Sequence, residues 1–165
     1  MASAAGQRNQ RRGAAPVPSL AEIGLANFAP YLMNRIMGRY NALIRAEMAA
    51  LGLTTPKMRA LATLSVIDRP LIGELAVFSV VEQSTLSRAL DQLQAEGLIR
   101  REVDAGDSRA TRVEITEAGR ARFETLWPRM AEAYARMFTG ISEAERRAFV
   151  GTLGKILSNI REHNF

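Results

Sequence analysis

The sequence lacks the residue types on which several kinds of functional site depend. It contains no cysteine and a single histidine, His163, among its 165 residues. Without cysteine there is no disulfide framework, no thiolate zinc site and no cysteine redox switch. One histidine argues against histidine-based catalysis and against a histidine-rich metal site. We therefore expect neither a metal ion nor another cofactor.

Long apolar runs are also missing. No run approaches the roughly 18 residues that a membrane-spanning helix needs. The first 19 residues, MASAAGQRNQRRGAAPVPS, contain arginines but no apolar stretch behind them, which differs from a secretory signal. Their small, polar and proline-containing composition predicts a disordered arm at residues 1–19. We expect a cytoplasmic protein without a membrane partner.

Positive charge is in excess, but it does not mark one folded segment. The net charge is +5, and Arg8, Arg11 and Arg12 contribute three of these charges from the arm. The arm could attract DNA irrespective of its sequence, or it could serve as a solubilising tail. Residues 78–112 carry five bases and six acids, which gives a net charge of −1. An excess of bases favours a nucleic-acid partner, but the contact has to be located from residue patterns.

Apolar residues at helical spacing and capping residues predict three helices in the first half of the chain. The first helix spans residues 20–51, and Pro30 predicts a kink or a restart of this helix near Ala29. Thr54 or Thr55 can cap the second helix. A short third helix lies within the sequence RPLIGELAVFS.

The second half of the chain combines one more short helix, a β-hairpin and two long helices. The fourth helix is predicted from about Glu82 to Glu96, and two strands joined by a turn follow it. Thr116 can cap the next helix, and Ser142 with Glu145 forms a capping box for the last one. Three short helices and a hairpin are the elements of a winged helix-turn-helix.

The long helices at both ends exceed what a winged helix needs to close its own core. Their apolar faces require a partner surface, and a two-fold homodimer is the commonest solution. The predicted fold is mainly α with a small β-hairpin: a winged helix-turn-helix plus N- and C-terminal dimerisation helices. The predicted segments are the arm at 1–19, an N-terminal dimerisation helix at 20–53, a DNA-binding winged helix-turn-helix at 54–116 and C-terminal dimerisation helices at 117–163.

The fourth helix has one apolar face and one polar face. At about 100° per residue, Leu86, Ala89, Leu90 and Leu93 fall together. The opposite face carries small hydroxylated residues and one long cation in its first two turns: Ser84, Thr85, Ser87 and Arg88. Small side chains allow close approach to the major groove, and an arginine can pair with guanine through two hydrogen bonds. The same pattern also fits an ordinary amphipathic helix at a protein surface.

The hairpin sequence VDAGDSRATRVEIT combines acidic and basic residues. Asp107 lies two residues before Arg109, close enough in a hairpin to hold its guanidinium. Such a contact would order the arginine in the free protein and reduce the entropy that it loses on entering a DNA groove. Asp104 can cap the turn through backbone contacts. We interpret the acids as positioning residues for one arginine.

Three stretches together resemble the MarR family of bacterial transcription regulators, most closely its SlyA-like branch: VEQSTLSRALDQLQAEGLIRR, DSRATRVEIT and TEAG. A looser resemblance extends over residues 20–163. It implies a homodimer with interlaced terminal helices, in which each winged helix binds half of a pseudo-palindromic DNA site. By this resemblance, the residues that enter the major groove are Ser84, Thr85 and Arg88. Arg109 then enters the adjacent minor groove and is held by Asp107.

The resemblance also implies regulation by a small molecule. Many members release DNA when a phenolic or other small anion binds between the dimerisation and DNA-binding regions. The branch that senses oxidation uses a cysteine and the branch that senses zinc uses several histidines, so this chain matches neither. We expect a repressor that a small ligand relieves, although the sequence does not separate repression from activation. It also leaves the ligand-binding residues and the target genes unknown.

The sequence therefore predicts a dimeric transcription regulator that reads double-stranded DNA. The predicted DNA-binding residues are Gln83, Ser84, Thr85, Ser87, Arg88, Asp107, Arg109 and Arg112. Lys57 and Arg59, early in the second helix, could add phosphate contacts. The alternative is a winged-helix module that binds proteins without reading bases, although its outward face offers few of the aromatic or aliphatic anchors of such surfaces. We expect no enzyme activity, because P-loop, dinucleotide-binding, H-E-x-x-H and G-x-S-x-G motifs are missing.

Overall fold

The computed structural model describes residues 17–161 and residue 163. The predicted disordered arm therefore lies outside the described residues, apart from its last three positions. Within the described part, the helices are α1 (Leu20–Ile23), α2 (Ala29–Ala50), α3 (Thr55–Leu64), α4 (Ile72–Ser79), α5 (Gln83–Ala95), α6 (Glu117–Met137) and α7 (Glu143–Ile160). The strands are β1 (Ile99–Val103) and β2 (Thr111–Ile115), and a short 3₁₀ helix covers Leu25–Asn27. The chain divides into two units, of which the first ends at Arg39 and the second begins at Tyr40.

The N-terminal segment begins with a capped turn of helix. The Ser19 hydroxyl accepts the backbone N–H of Glu22 at 3.3 Å, and the Glu22 carboxylate accepts the backbone N–H of Ser19 at 2.6 Å. This capping box starts α1. The predicted helix restart is confirmed, since α2 begins at Ala29 beside Pro30. Large apolar side chains remain exposed in this segment: Leu20, Leu25, Phe28, Leu32, Ile36 and Met37.

The winged-helix region is built around α3. Thr54 caps α3, as predicted, by accepting the backbone N–H of Lys57 at 3.5 Å. α3 contacts α4, α5, α6 and β2. The predicted apolar face of the fourth helix is confirmed, because Leu86, Leu90 and Leu93 are fully buried. Burial of such side chains is the main favourable term in folding, and the same core includes Ile44, Met58, Leu61, Leu75, Ile99, Val113 and Leu126.

The two strands form the wing, an antiparallel hairpin whose register pairs Ile99 with Ile115. Ile99 and Val113 are buried and anchor the hairpin in the core. The backbone N–H of Val113 also donates to the carbonyl of Pro70 at 3.0 Å. The loop before α4 therefore holds the wing from the side.

The junction between the wing and α6 requires a glycine. Thr116 caps α6 by accepting the backbone N–H of Gly119 at 3.1 Å, and the Thr116 hydroxyl donates to the carbonyl of Gly97 at 2.7 Å. A Cβ atom at Gly119 would overlap the carbonyl oxygen of Leu98. The TEAG sequence thus fixes the base of the wing against the first turn of α6.

The last two helices differ in what they bury. α6 buries Phe123, Leu126, Met130 and Ala133 along one face. α7 starts at the predicted capping box and has no buried residue. Its large exposed apolar side chains are Phe149, Val150, Ile156, Leu157 and Ile160.

These elements confirm the predicted fold, which is mainly helical with one two-stranded hairpin. Among the described residues, no helix combines the length and the hydropathy needed to cross a membrane. The predicted domain boundaries and the dimerising role of the terminal helices stay predictions.

Candidate nucleic-acid interface

The first two turns of α5 present a polar surface. Gln83, Ser84, Thr85, Ser87 and Arg88 are all exposed, as the helical spacing predicts. Within residues 17–161 and 163, the side chains of Gln83, Ser87 and Arg88 form no hydrogen bond or ion pair. The Arg88 guanidinium and the Gln83 amide therefore offer donors of the kind that major-groove recognition uses.

Ser84 and Thr85 are bound to a residue that the sequence reasoning did not single out. Glu82 caps α5, and its carboxylate accepts the backbone N–H groups of Ser84 and Thr85, each at 3.1 Å. Both hydroxyls also donate to this carboxylate, that of Ser84 through a short hydrogen bond. These bonds, chiefly those from Ser84, lower the pKa of Glu82 to about 2. Capping rules favour Ser, Thr, Asp and Asn, so a search for those residue types passes over Glu82.

An arginine of α3 holds the turn between α4 and α5. Val80 has a left-handed backbone with φ of 52°, which is uncommon for a β-branched residue. Its carbonyl accepts a hydrogen bond from a terminal nitrogen of Arg59 at 2.9 Å. Lys57 is buried and pairs with Glu96 at 2.5 Å. The suggested phosphate contact of Lys57 is therefore wrong, and Arg59 has a structural partner instead.

Two aspartates shape the tip of the wing. One carboxylate oxygen of Asp104 accepts the backbone N–H groups of Gly106 at 2.9 Å and Asp107 at 3.1 Å, as predicted for a turn cap. Asp107 in turn accepts the backbone N–H of Arg109 at 2.9 Å. The backbone N–H of Ala110 donates to the carbonyl of Asp107 at 2.9 Å. The tip is thus a hydrogen-bonded frame in which the acids are satisfied by the chain itself.

Arg109 extends from this frame into solvent. Its side chain is 91% exposed, and its Nε lies 3.4 Å from Oδ1 of Asp107. An exposed ion pair contributes little to stability. The contact expected between Asp107 and the Arg109 guanidinium is present as a long hydrogen bond from Nε, and Asp107 also orders the backbone at Arg109 through a shorter one.

Arg112 is placed differently from Arg109. Its Nε donates to Oδ1 of Asp104, and a terminal nitrogen donates to the carbonyl of Arg69 at 2.9 Å. The hydrogen bond from Arg112 is the main cause that lowers the pKa of Asp104. Arg69 has a φ of 45° and pairs with Glu102 at 2.5 Å. This network ties the wing to the loop before α4 and favours a positioning role for Arg112, whose DNA contact stays a prediction.

A groove of about 700 Å³ runs along α4, between the first residue of α5 and the wing. Gln83 borders it on the side of α5 and Arg109 borders it on the side of the wing. Its other lining residues are Leu71, Ile72, Gly73, Glu74, Ala76, Val77, Ala110, Thr111 and His163. Exposed donors on two rigid elements with a groove between them suit a polyanion. No group of three or more His, Asp or Glu side chains within residues 17–161 and 163 could hold a metal ion.

Comparison with known proteins identifies the family. Residues 51–110 match the profile of the MarR family. A transcriptional regulator of that family from Silicibacter pomeroyi is 63% identical, and its crystal structure superimposes with a TM-score of 0.85. The match covers 90% of this chain and 100% of that chain. This chain belongs to the MarR family of transcriptional regulators.

Two further proteins are similar at lower identity. The transcriptional repressor IacR of Pseudomonas putida is 25% identical over 143 residues, which is 87% of this chain and 86% of that protein. BpsR of Bordetella bronchiseptica, whose DNA binding is regulated by 6-hydroxynicotinic acid, is 25% identical with a TM-score of 0.67. That match covers 77% of this chain and 96% of BpsR. The predicted MarR family is confirmed, whereas the SlyA-like branch and the individual DNA contacts stay predictions.

Proposed function

We propose that this MarR-family protein is a homodimer that reads a pseudo-palindromic operator in double-stranded DNA and thereby regulates transcription. The observation that carries the proposal is a pair of exposed arginines on two rigid elements. Arg88 extends from the outer face of α5, and Arg109 extends from the wing tip with 91% of its side chain exposed. Arg88 suits a guanine in the major groove, and Arg109 suits a narrow, A·T-rich minor groove.

The exposed apolar residues of the terminal helices support a dimer. α7 leaves Leu157 and Ile160 exposed and buries no residue of its own. Apolar surface of this kind marks an interaction site. In a two-fold dimer, the apolar surface of each chain would be covered by its partner. Two-fold symmetry then directs two α5 helices at half-sites about 34–36 Å apart, one turn of DNA.

We also propose a repressor that a small phenolic or anionic ligand relieves. IacR is a repressor, and a small aromatic acid regulates the DNA binding of BpsR. A cavity of about 120 Å³ lies between the C-terminal part of α2 and α6, with Arg129 and Arg136 in its lining. One carboxylate oxygen of Glu47, also in the lining, is buried without a hydrogen-bond partner among the described residues. Glu132 lies in the same lining and pairs with both arginines, so an anionic ligand would have to replace its carboxylate there, while a donor group of the ligand would meet Glu47.

Selection from a random pool of double-stranded DNA at physiological salt tests the proposal. We expect an enriched pseudo-palindrome whose half-sites lie about one helical turn apart. A pool in which no sequence is enriched contradicts DNA reading and favours the protein-binding alternative.

Arginine variants assign the contacts on the selected site. Arg88→Ala should lower affinity by about 1–3 kcal/mol and relax the preference at one base pair in each half-site. Arg109→Ala should weaken binding mainly through the flanking minor groove while the dimer stays intact. Arg45→Ala removes an exposed arginine of α2 and, as the control, should leave every base preference unchanged.

A further inference from the structure

Glu82 lies where α5 begins, beside the residues proposed to read DNA. The carboxylate is held by two backbone N–H groups and two hydroxyls, all from Ser84 and Thr85. Both residues belong to the outer face of α5 and are exposed, as Glu82 is. The N-terminal residues of the second helix in a helix-turn-helix are those that contact base edges. A carboxylate is therefore fixed at the place where the proposed interface meets the bases.

The direction of these hydrogen bonds determines what the surface offers to DNA. The hydroxyls of Ser84 and Thr85 donate their protons to Glu82, so toward a ligand they present lone pairs. Oε1 of Glu82 accepts one hydrogen bond, from the backbone N–H of Ser84, and a carboxylate oxygen can accept more than one. Glu82, Ser84 and Thr85 thus form a cluster of hydrogen-bond acceptors at the start of α5, in contrast to the donors of Gln83, between them, and of Arg88, farther along the helix.

The negative charge of Glu82 persists at every pH used for DNA binding, because its hydrogen bonds hold the pKa at about 2. An anion at this position repels phosphates, and it also repels the acceptor atoms of bases. In the major groove, guanine presents N7 and O6 and thymine presents O4, all of them acceptors. Adenine has an amino donor, but its acceptor N7 lies beside it, whereas the amino group of cytosine has no neighbouring acceptor on its own base.

We propose that Glu82 is a specificity-determining residue that accepts a hydrogen bond from the amino group of a cytosine in each half-site. This inference rests on the proposed DNA-binding function. Arg88 lies six positions after Glu82, a rise of about 9 Å along the helix axis. The cytosine therefore belongs to a different base pair from the guanine assigned to Arg88. Glu82 lowers affinity for DNA in general and raises discrimination between sequences.

Affinity measurements on the selected operator and on its single-base variants test this role. In the wild-type protein, one half-site position should prefer cytosine over each other base by about tenfold, the lower part of the range for a good base contact. Glu82→Gln should abolish this preference and raise affinity for random DNA, because it removes a negative charge. Glu82→Ser retains a preferred capping residue and should abolish the same preference. Glu124→Gln, which makes the same charge change at an exposed position of α6, should leave it intact.

Each other outcome has a distinct meaning. Cytosine preference that survives in Glu82→Gln, or that is lost in Glu82→Gln but kept in Glu82→Ser, would overturn the reading role, since capping alone would then explain Glu82. A preference for adenine at the position that depends on Glu82 would overturn the assignment to cytosine. A wild-type protein without any base preference would contradict the proposed function itself. Circular dichroism of both variants verifies that the helical content is unchanged.

Discussion

Helices α5 and α7 both carry apolar side chains at helical spacing, and they differ in what covers them. Leu86, Leu90 and Leu93 of α5 are fully buried against the winged-helix core. In α7, Leu157 is 62% exposed and Ile160 is 71% exposed. Both helices begin at a side-chain cap, formed by Glu82 in α5 and by Ser142 with Glu145 in α7, so the local capping pattern does not distinguish them. The difference lies in what the rest of the chain supplies.

The winged-helix region and α7 differ in whether the single chain covers their apolar side chains. The winged-helix region closes its apolar core and satisfies its acids: Glu82 by Ser84 and Thr85, and Asp104 by Arg112. On the outer face of α5 it leaves a cation and an amide exposed, Arg88 and Gln83, while the exposed apolar residues Val66, Val80 and Val103 lie outside that helix. α7 leaves apolar side chains of its own exposed along the helix. Exposed cations suit a polyanion and exposed apolar side chains suit a protein surface. In the proposed dimer, α5 would therefore face DNA and α7 would face the partner chain.

Truncation of a leucine in each helix should give the largest contrast in stability. Leu90→Ala removes a fully buried side chain and should lower the free energy of unfolding by about 2–5 kcal/mol. Leu157→Ala removes a side chain that the single chain leaves mostly exposed, so its loss of stability should come from the proposed dimer interface and should diminish on dilution. Urea unfolding at two protein concentrations measures both values, and a loss for Leu157→Ala that equals that of Leu90→Ala at the lower concentration would contradict the contrast between the helices.

Charges placed on the apolar surface of α7 should separate the proposed dimer. Leu157→Asp combined with Ile160→Asp should raise the dimer dissociation constant at least about 100-fold, since two unpaired carboxylates would be buried at the interface. Sedimentation velocity measures the mass, and circular dichroism checks that the helices remain. Ser158→Asp adds charge to the same helix without removing an apolar side chain and serves as the control. A double variant that sediments like the wild type would contradict a dimer formed through α7.

The sequence predicts a contact well when the residues that form it are close together along the chain. The buried face of α5 and the capping of α6 by Thr116 depend on neighbours within a few residues, so periodicity and capping rules find them. The contact of Arg112 with the Arg69 carbonyl and the pairing of Lys57 with Glu96 join residues about forty positions apart. No local pattern carries such contacts, so neither the burial of Lys57 nor the network around Arg112 follows from the residues beside them in the sequence.

Two substitutions at Asp107 should test whether the acids of the wing serve its backbone. Asp107→Asn keeps an oxygen that can accept the N–H of Arg109, whereas Asp107→Ala does not. Asp107→Ala should weaken operator binding by about fivefold, although it removes a negative charge, because the wing tip loses a turn cap and has more conformations to order on binding. Asp107→Asn should retain most of the affinity. Fluorescence anisotropy on the operator measures both, and tighter binding of the alanine variant would mean that charge repulsion dominates at the tip.

The smallest expected effect is the acid titration of Glu82. Its folded pKa of about 2 lies below the ordinary value of 4.5. A lowered pKa means that the folded state favours the anion. Its contribution to stability is therefore present above about pH 4.5 and is lost as the pH falls toward 2. NMR titration of the side-chain carboxyl should follow this step, and Ser84→Ala should raise the pKa toward 4.5. An unchanged pKa in Ser84→Ala would show that Ser84 is not the cause.

The affinity for operators with altered spacing tests most directly whether two paired chains read one duplex. Insertion of about five base pairs between the half-sites turns one of them to the opposite side of the helix. A two-fold dimer with fixed α5 helices should then bind no more tightly than it binds a single half-site. Affinity that is unchanged by the insertion would contradict the proposed dimer, in which α7 joins two chains and the spacing between their two α5 helices is fixed.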